Sequence, residues 1–282
     1  MSSAPTFKPK AFSKLGKSQK DFFKKKFTAK KEFTIKTSAD SGRVDFESTI
    51  EAAKGNTFQG KLKVTNDLEL PGKVEVELDT KGAVKASVTL DKVADGAKLK
   101  IEGTQKPDVE LTADYAKDSF NTTATVSVSQ KTTAVDLAGV VGFDGLSVGG
   151  HVKYDTASQQ VDDYNAVTEY AGPDFVATVQ TQDSADSILA SYLHDLNHDT
   201  SVGARFNYNL TDGSRTLTFG AAFRVDRDTS TKVKADSTGK IDFVVEQSIA
   251  NPNLTYVFGA SWDANKKTTS PETFGVGFTF GK

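Results

Sequence analysis

Apolar and polar residues alternate along most of this chain, from about residue 32 to its last residue. In one early segment Val44, Phe46 and Ile50 fall on one parity, while charged and hydroxyl side chains fill the other. Successive side chains of a β-strand point to opposite faces of the sheet, so this alternation predicts strands with one apolar and one polar face. A long sheet of this kind must hide its apolar face from water, either against a second layer or in lipid.

Turn signals separate the alternating segments at regular intervals. Pairs such as Pro71-Gly72, Asp95-Gly96 and Asp144-Gly145 supply the backbone angles that hairpins require. Residues 32–282 divide at these turns into about 18 to 19 strands of roughly 8 to 10 residues, close to the length that a tilted membrane strand needs. Strands of soluble sandwiches are usually nearer 5 or 6 residues. The pattern favours a membrane β-barrel, and because no long helical segment interrupts it, a βαβ fold is not expected.

Aromatic residues stand near several of the predicted strand ends. Interfacial girdles of membrane barrels have this arrangement, although ordinary packing at sheet edges would also produce it. The residues are Phe33, Phe120, Tyr154, Tyr170, Phe175, Tyr256 and Trp262.

The first 31 residues differ in character from the rest of the chain. They carry ten lysines against one acid, Asp21. A narrow stripe at helical spacing runs through them, formed by Phe12, Leu15, Gln19 and Phe22. Gly16 lowers helix stability by roughly 1 kcal/mol relative to alanine, so the helix is predicted to be short or bent. The segment is either a solvated basic arm or an amphipathic helix docked on the inner wall of the barrel or on a membrane surface.

Composition narrows the class of protein. A chain of 282 residues is one large all-β domain or two small ones. The net charge of −2 indicates neither a nucleic-acid partner nor an acidic one. Mean hydropathy is −0.40, and no run approaches the roughly 18 apolar residues of a membrane helix. Alternating membrane strands have unremarkable mean hydropathy, so this value does not exclude a membrane β-barrel. Without cysteine, disulfides and thiolate metal sites are absent.

The start of the chain is polar and contains Pro5 and Pro9, without the apolar core of a secretory signal peptide. This argues against an exported bacterial outer-membrane protein. A cleavable mitochondrial presequence would favour arginine, whereas this segment uses lysine, so cleavage is not expected.

Catalytic chemistry is not expected. His194 and His198 are four residues apart but fall in a turn segment, without two further metal ligands placed by sequence. The chain has neither a phosphate-binding loop nor a nucleophile elbow. We therefore predict that the protein is not an enzyme and that it needs no cofactor and no metal.

Four stretches of the chain resemble eukaryotic mitochondrial porins, the voltage-dependent anion channels (VDAC). They are Phe12–Phe23, Val140–Thr156, Ser191–Asn209 and the closing strand Thr273–Phe280. The resemblance covers nearly the whole chain, and the mid-chain stretch is most similar to plant-type members. It implies a 19-stranded transmembrane β-barrel in the mitochondrial outer membrane, with a short N-terminal amphipathic helix inside the pore. Residues 1–31 would be the basic segment with the pore helix, and residues 32–282 the barrel, whose first and last strands pair in parallel.

The resemblance also implies roles for individual residues. Lys17, Lys20 and Lys25 match basic positions of the family's pore helix. The last strand fits the family's sorting signal at Thr273, Gly275, Phe278 and Phe280. Residues 95–101 match the family's Gly-Leu-Lys segment, but Ala97 replaces the leucine, which weakens the case for a nucleotide contact there. Glu77 is the nearest candidate for the lipid-facing glutamate of some members. It shares parity with Glu75 and Asp79, so we expect it to face the lumen.

If the apolar parity faces lipid, the polar parity lines a wide aqueous lumen, as expected of a closed barrel of this size. The predicted selectivity cations of the wall are Lys61, Lys63, Lys85, Lys98, Lys100, Arg205, Arg224, Lys232 and Lys234. The pore helix would add Lys14, Lys17, Lys20, Lys24 and Lys25 to selectivity and gating. The opposing acids are Asp45, Glu47, Glu75, Glu77, Glu102 and Asp242.

These expectations describe a voltage-gated, weakly anion-selective channel that passes small ions and metabolites such as ATP, ADP and phosphate across the mitochondrial outer membrane. Its expected partners are membrane lipid, nucleotides and small anions as permeants, further copies of the chain, and cytosolic docking proteins. No nucleic acid is required. One alternative is the barrel of the outer-membrane protein-import channel, which would carry longer extensions and a more acidic lumen. The other is a soluble β-rich interaction protein, which unlike a barrel would stay monodisperse without detergent.

Overall fold

A computed structural model of the chain describes residues 7–27, 31–53, 57–69, 71–105, 108–266 and 271–281. Of the basic segment 1–31, residues 1–6 and 28–30 therefore lie outside the described part. The helical elements are a 3₁₀ turn at Phe12–Lys14, the helix α1 at Lys17–Lys24 and a second 3₁₀ turn at Asp40–Gly42. The strands are β1 Glu32–Ala39, β2 Val44–Ala53, β3 Thr57–Asp67, β4 Gly72–Asp79, β5 Val84–Ala94, β6 Ala97–Thr104, β7 Val109–Lys117, β8 Phe120–Val128, β9 Thr133–Phe143, β10 Leu146–Asp155, β11 Gln160–Ala171, β12 Phe175–Gln182, β13 Ser187–Asn197, β14 Thr200–Asn209, β15 Arg215–Arg224, β16 Thr229–Asp236, β17 Lys240–Ile249, β18 Leu254–Asp263 and β19 Thr273–Phe280.

The nineteen strands form one closed barrel, which confirms the expected fold class. Each strand pairs antiparallel with the next along the chain, and β1 pairs with β19 in parallel to close the cylinder. A parallel junction is unavoidable when an odd number of sequential strands closes on itself. This seam is short, because it joins only Glu32–Ile35 with Gly277–Phe280. Closure gives both edges of every strand a hydrogen-bonding partner, as the membrane interior requires.

Strand register separates the side chains into an outer and an inner face. Residues paired across neighbouring strands share a face, so the parity of one strand fixes the parity of the next. The outer face is apolar and open, with Phe58 72% exposed, Val141 62% and Phe219 58%. The predicted girdle aromatics lie on this face, for example Tyr170 opposite Leu146 and Trp262 opposite Ile241. The polar parity forms the inner face.

The described part of the N-terminal segment, residues 7–27, lies inside the barrel, against the inner wall. Gly16 adopts a left-handed conformation with φ +68° and separates the 3₁₀ turn from α1, so the helix is short, as predicted. Leu15 packs with Val140 and Val167 of the wall. Gln19, Phe22 and Phe23 are the buried residues of α1. Of the positions left open by the sequence, docking on the inner wall is the one observed.

Two wall glycines make room for this docking. Gly203 on β14 and Gly220 on β15 are cross-strand partners on the inner face. A Cβ atom at either position would stand 2.9 Å from Cε1 of Phe22 and 3.1 Å from the ring of Phe23. The bare backbone at this point therefore forms the floor on which the two phenylalanines rest. This recess decides how deeply the helix can sit in the lumen.

Candidate pore and its charged lining

All nine predicted wall cations lie on the inner face of the barrel. The register links them strand by strand, from Lys61 opposite Thr49 on β2 to Lys232 opposite Ala222 on β15. Their neighbours on this face include the six predicted acids. The residues placed there are Lys61, Lys63, Lys85, Lys98, Lys100, Arg205, Arg224, Lys232, Lys234, Asp45, Glu47, Glu75, Glu77, Glu102 and Asp242.

Cations of the early strands are engaged in ion pairs with wall carboxylates. Five pairs connect neighbouring strands or alternate positions of one strand: Lys61–Glu77 at 3.3 Å, Lys63–Glu75 at 3.0 Å, Lys85–Glu102 at 2.5 Å, Lys98–Asp91 at 2.7 Å and Lys100–Glu102 at 2.8 Å. The pair with Lys61 places Glu77 in the lumen rather than in lipid. Because each lysine has an acid beside it, β3–β6 present alternating charge to the pore rather than a positive field.

The later strands carry a different set of cations. Arg205 and Lys232 are half-buried, and neither makes an ion pair within the described part of the chain. The Nζ atom of Lys232 stands 5.9 Å from the centroid of the Phe22 ring. Lys234 is the paired member of the group, with its Nζ atom 3.1 Å from Oδ2 of Asp242. Arg224 is exposed at the end of β15.

The five predicted helix cations project from the docked segment into the open lumen. Lys14, Lys17, Lys20, Lys24 and Lys25 are all exposed. Within the described part of the chain their one ion pair is a long one, 3.9 Å from Nζ of Lys25 to Oδ2 of Asp21. A cavity of about 500 Å³ lies between the segment and strands β12–β14, and its lining includes Lys17, Lys20, Lys24 and Arg205. A second space of about 450 Å³ adjoins Lys20, Lys24 and Lys25 on one side and Gly259, Gly275 and Gly277 on the other. The structure therefore brings Lys14, Lys17, Lys20 and Lys24 to the same cavity as Arg205, whereas no lysine of β3–β6 is among the described residues that line it.

Contacts that hold the segment were missed by the sequence reasoning. The Glu169 carboxylate accepts hydrogen bonds from Lys10 Nζ at 2.9 Å and from the Gly16 amide at 2.7 Å. Near the other end of the segment Lys26 forms an ion pair with Glu246 of β17. From the sequence, Glu169 could be placed on the inner face of β11, because it follows Val167 by two residues. Its partners could not be identified, because they lie more than 150 residues away along the chain.

The predicted sorting residues are divided between the two faces of β19. Thr273 and Gly275 lie on the inner face opposite Ser261 and Gly259, whereas Phe278 and Phe280 are exposed on the outer face. Their role in sorting stays a prediction.

The described residues contain no group of three or more histidine, cysteine or acidic side chains that could hold a metal. His194 lies beside Asp174 and His198 beside Asp199, at separate places. Among the helices of the described residues, none is long and apolar enough to cross a membrane.

The decisive comparison is with protein families. The family model described as eukaryotic porin matches residues 8–275, which is almost the whole barrel and the docked segment. This chain is a eukaryotic porin. Members of the family are channels rather than enzymes, and the resemblance seen in the sequence is thereby confirmed.

Curated relatives of this porin come from plants. Mitochondrial outer membrane protein porin 6 of Oryza sativa is 29% identical over 276 residues, covering 95% of this chain and 96% of that protein. Mitochondrial outer membrane protein porin 4 of Arabidopsis thaliana is 27% identical over 271 residues, covering 94% and 95%. The porin is accordingly a β-barrel of the mitochondrial outer membrane. Among solved structures, a mutant porin of Rh. blastica aligns with a TM-score of 0.41 and 9% identity over 82% of this chain and 89% of that chain.

A charge placed on the outer face tests the assignment of the two faces. Leu62, at the middle of β3, is exposed on the outer face, and the variant Leu62→Arg should lower the free energy of unfolding in lipid vesicles by about 2–4 kcal/mol. Thr65→Arg on the same strand is the matched control, because Thr65 faces the lumen between Asp45 and Glu75. Urea unfolding measures both. Equal losses in the two variants would contradict the assignment.

Proposed function

We propose that this porin is a voltage-gated, weakly anion-selective channel that passes small ions and metabolites, among them ATP, ADP and phosphate. One observation supports the proposal above all others: the exposed helix lysines stand in the lumen beside Arg205, while the lysines of β3–β6 are matched by acids. Anions passing the helix meet cations that are not already neutralised, which favours them over cations of the same size.

Weak rather than strong selectivity follows from the width of the pore. A barrel of nineteen strands belongs to the size class that leaves an aqueous channel, and charges facing bulk-like water are screened beyond roughly 8 Å at physiological ionic strength. Acids of the inner wall also remain within reach of the permeating ions. A polyvalent anion such as a nucleotide gains from several lysines at once, so it passes without occupying one tight site.

Voltage dependence is attributed to the same lysines. Moving one elementary charge through the whole membrane potential changes its energy by about 2.3 kcal/mol per 100 mV. A displacement of the docked segment along the pore axis would move several lysines together, so that even a partial displacement couples to the field. Among the residues that the structure describes, the segment is the part of the lumen lining that is not a strand of the barrel, and this makes it the candidate for the moving charge.

Single-channel recording in a planar bilayer tests the proposal on the native protein. We expect a large conductance, a reversal potential in a salt gradient that indicates mild anion preference, and closure at voltages of both signs. A reversal potential of cation sign would contradict the selectivity, and a conductance independent of voltage would contradict the gating.

A further inference from the structure

The beginning of α1 is held by one buried carboxylate of the wall. Glu169 on β11 is 2% exposed, and its Oε2 accepts the Gly16 amide at 2.7 Å. Gly16 is the N-cap of α1, and its amide is one of the four at a helix start that lack a partner within the helix. The other oxygen, Oε1, binds Nζ of Lys10 at 2.9 Å, so one carboxylate holds the segment at two points.

The end of α1 is held by a wall cation. Nζ of Lys234 on β16 donates a hydrogen bond to the carbonyl oxygen of Phe23 at 3.0 Å, within the last turn of the helix. The same ammonium group stands 4.6 Å from the centroid of the Phe27 ring, just beyond the helix. Asp242 fixes Lys234 in place from the neighbouring strand, with its Oδ2 atom 3.1 Å from Nζ. The carbonyl groups in the last turn of a helix are those without partners inside it.

The signs of the two wall charges match the polarity of the helix. A helix carries partial positive charge at its N-terminus and partial negative charge at its C-terminus, so a carboxylate is favoured at the first end and a cation at the second. We propose that Glu169 and Lys234 are a pair of positioning residues that hold α1 by its two oppositely polarised ends and so fix its lysines in the lumen. Reversing the helix would place like charges together at both ends, and the pair therefore also sets its direction.

The two residues hold α1 through polar contacts that differ from its apolar packing. The contacts of Phe22 and Phe23 with the bare wall at Gly203 and Gly220 are apolar and non-directional, whereas the hydrogen bonds at the two ends have fixed partners and preferred directions. Hydrogen bonds with a charged partner are also stronger than neutral ones. Apolar contact therefore keeps the segment on the wall, and the two charges select its position along the wall.

The first test measures release of the segment chemically and needs no conduction. The chain has no cysteine, so Leu15→Cys introduces a single reactive thiol at a position that is 6% exposed on the wall. In this background, Glu169→Gln should raise the rate of reaction with a water-soluble maleimide about tenfold or more, because it removes a charge-assisted bond. Glu77→Gln is the matched control: it removes the same charge from the inner face, but Glu77 pairs with Lys61 of the wall.

The second test addresses the other end of the helix and rests on the proposed channel function. Lys234→Met combined with Asp242→Asn keeps the net charge and removes the cation from the carbonyl of Phe23. We expect this double variant and Glu169→Gln to close at lower voltage than the native channel, and Lys234→Arg to retain the native closing voltage because it keeps a donor and the charge.

The outcomes separate the inference from the proposed function. Faster labelling without any voltage-dependent closure would support the positioning role and contradict the gating proposal. Unchanged labelling in Glu169→Gln, or an equal increase in Glu77→Gln, would overturn the positioning role. If Glu169→Gln does not assemble, Lys10→Met takes its place, because it removes one of the two contacts that the Glu169 carboxylate makes with the segment. A labelling rate that does not rise in Lys10→Met would then overturn the positioning role.

Discussion

Replacing Lys17, Lys20, Lys24 and Lys25 with glutamine is expected to turn weak anion preference into cation preference. The described inner face of the wall carries more carboxylates than cations, and its early lysines are already paired. Four exposed lysines of the segment supply much of the opposing charge, so their removal leaves the acids dominant. The reversal potential in a KCl gradient should change sign, and the voltage dependence of closure should flatten because fewer charges move in the field.

A control with four substitutions should leave selectivity close to native. Lys61→Gln with Glu77→Gln, combined with Lys98→Gln with Asp91→Asn, removes two wall pairs and keeps the net charge. Ion pairs of this exposure contribute little to stability, so the barrel should still assemble. An unchanged reversal potential in the helix variant, or an equal shift in the paired control, would contradict the assignment of selectivity to the helix.

The variant Gly203→Leu is expected to expel α1 from its place on the wall. Even the first atom of the new side chain would stand 2.9 Å from Cε1 of Phe22, and the rest of the leucine needs the space that both phenylalanine rings occupy. Each ring that leaves a fully buried position loses about 1.5–3 kcal/mol of hydrophobic stabilisation. Because the wall is a paired sheet and the helix is held mainly by side chains, the helix moves and the barrel stays.

Two measurements test whether Gly203→Leu displaces the helix. Circular dichroism should show an intact sheet, while channel recordings should show short-lived open states and frequent sub-conductance levels because the segment no longer has one position. Gly139→Leu is the matched control on β9: Gly139 lies on the outer face, and a Cβ there meets nothing within 4 Å. A steady native open state in Gly203→Leu would show that the glycine floor is not needed to keep the helix on the wall.

The alternation of residues predicted the two faces of the wall correctly, because a strand's period of two leaves little choice once one face is apolar. It could not decide between 18 and 19 strands. That number, and the parallel seam with it, came from the resemblance to a known family. Gly16 was sufficient to predict a short or bent helix, because the stability that a glycine costs a helix is a local effect. The sequence did not show that Gly16 would be the N-cap, with a left-handed backbone and its amide bonded to Glu169 of the wall.

Ion pairing within the pore is the part that the sequence could not reveal. Lys85 and Lys232 look alike as lumen-facing cations, yet one has Glu102 at 2.5 Å and the other contacts the ring of Phe22. The difference depends on the register between strands and on where the segment docks. The contact between Glu169 and Lys10 could not be predicted for the same reason, because the two residues are 159 positions apart along the chain. Side chains distant in sequence meet only once the barrel has closed.

The parallel seam also constrains the order in which the barrel is made. Its two strands are the first and the last of the barrel in chain order, so Glu32–Ile35 can meet Gly277–Phe280 in this closed arrangement only after every intervening strand has been placed. Until that moment the nascent sheet has two open edges, each able to pair with a foreign strand. One of them, β19, contains the predicted sorting residues Phe278 and Phe280. Whatever guides the chain into the membrane during biogenesis would protect the barrel best by occupying this edge and leaving it last.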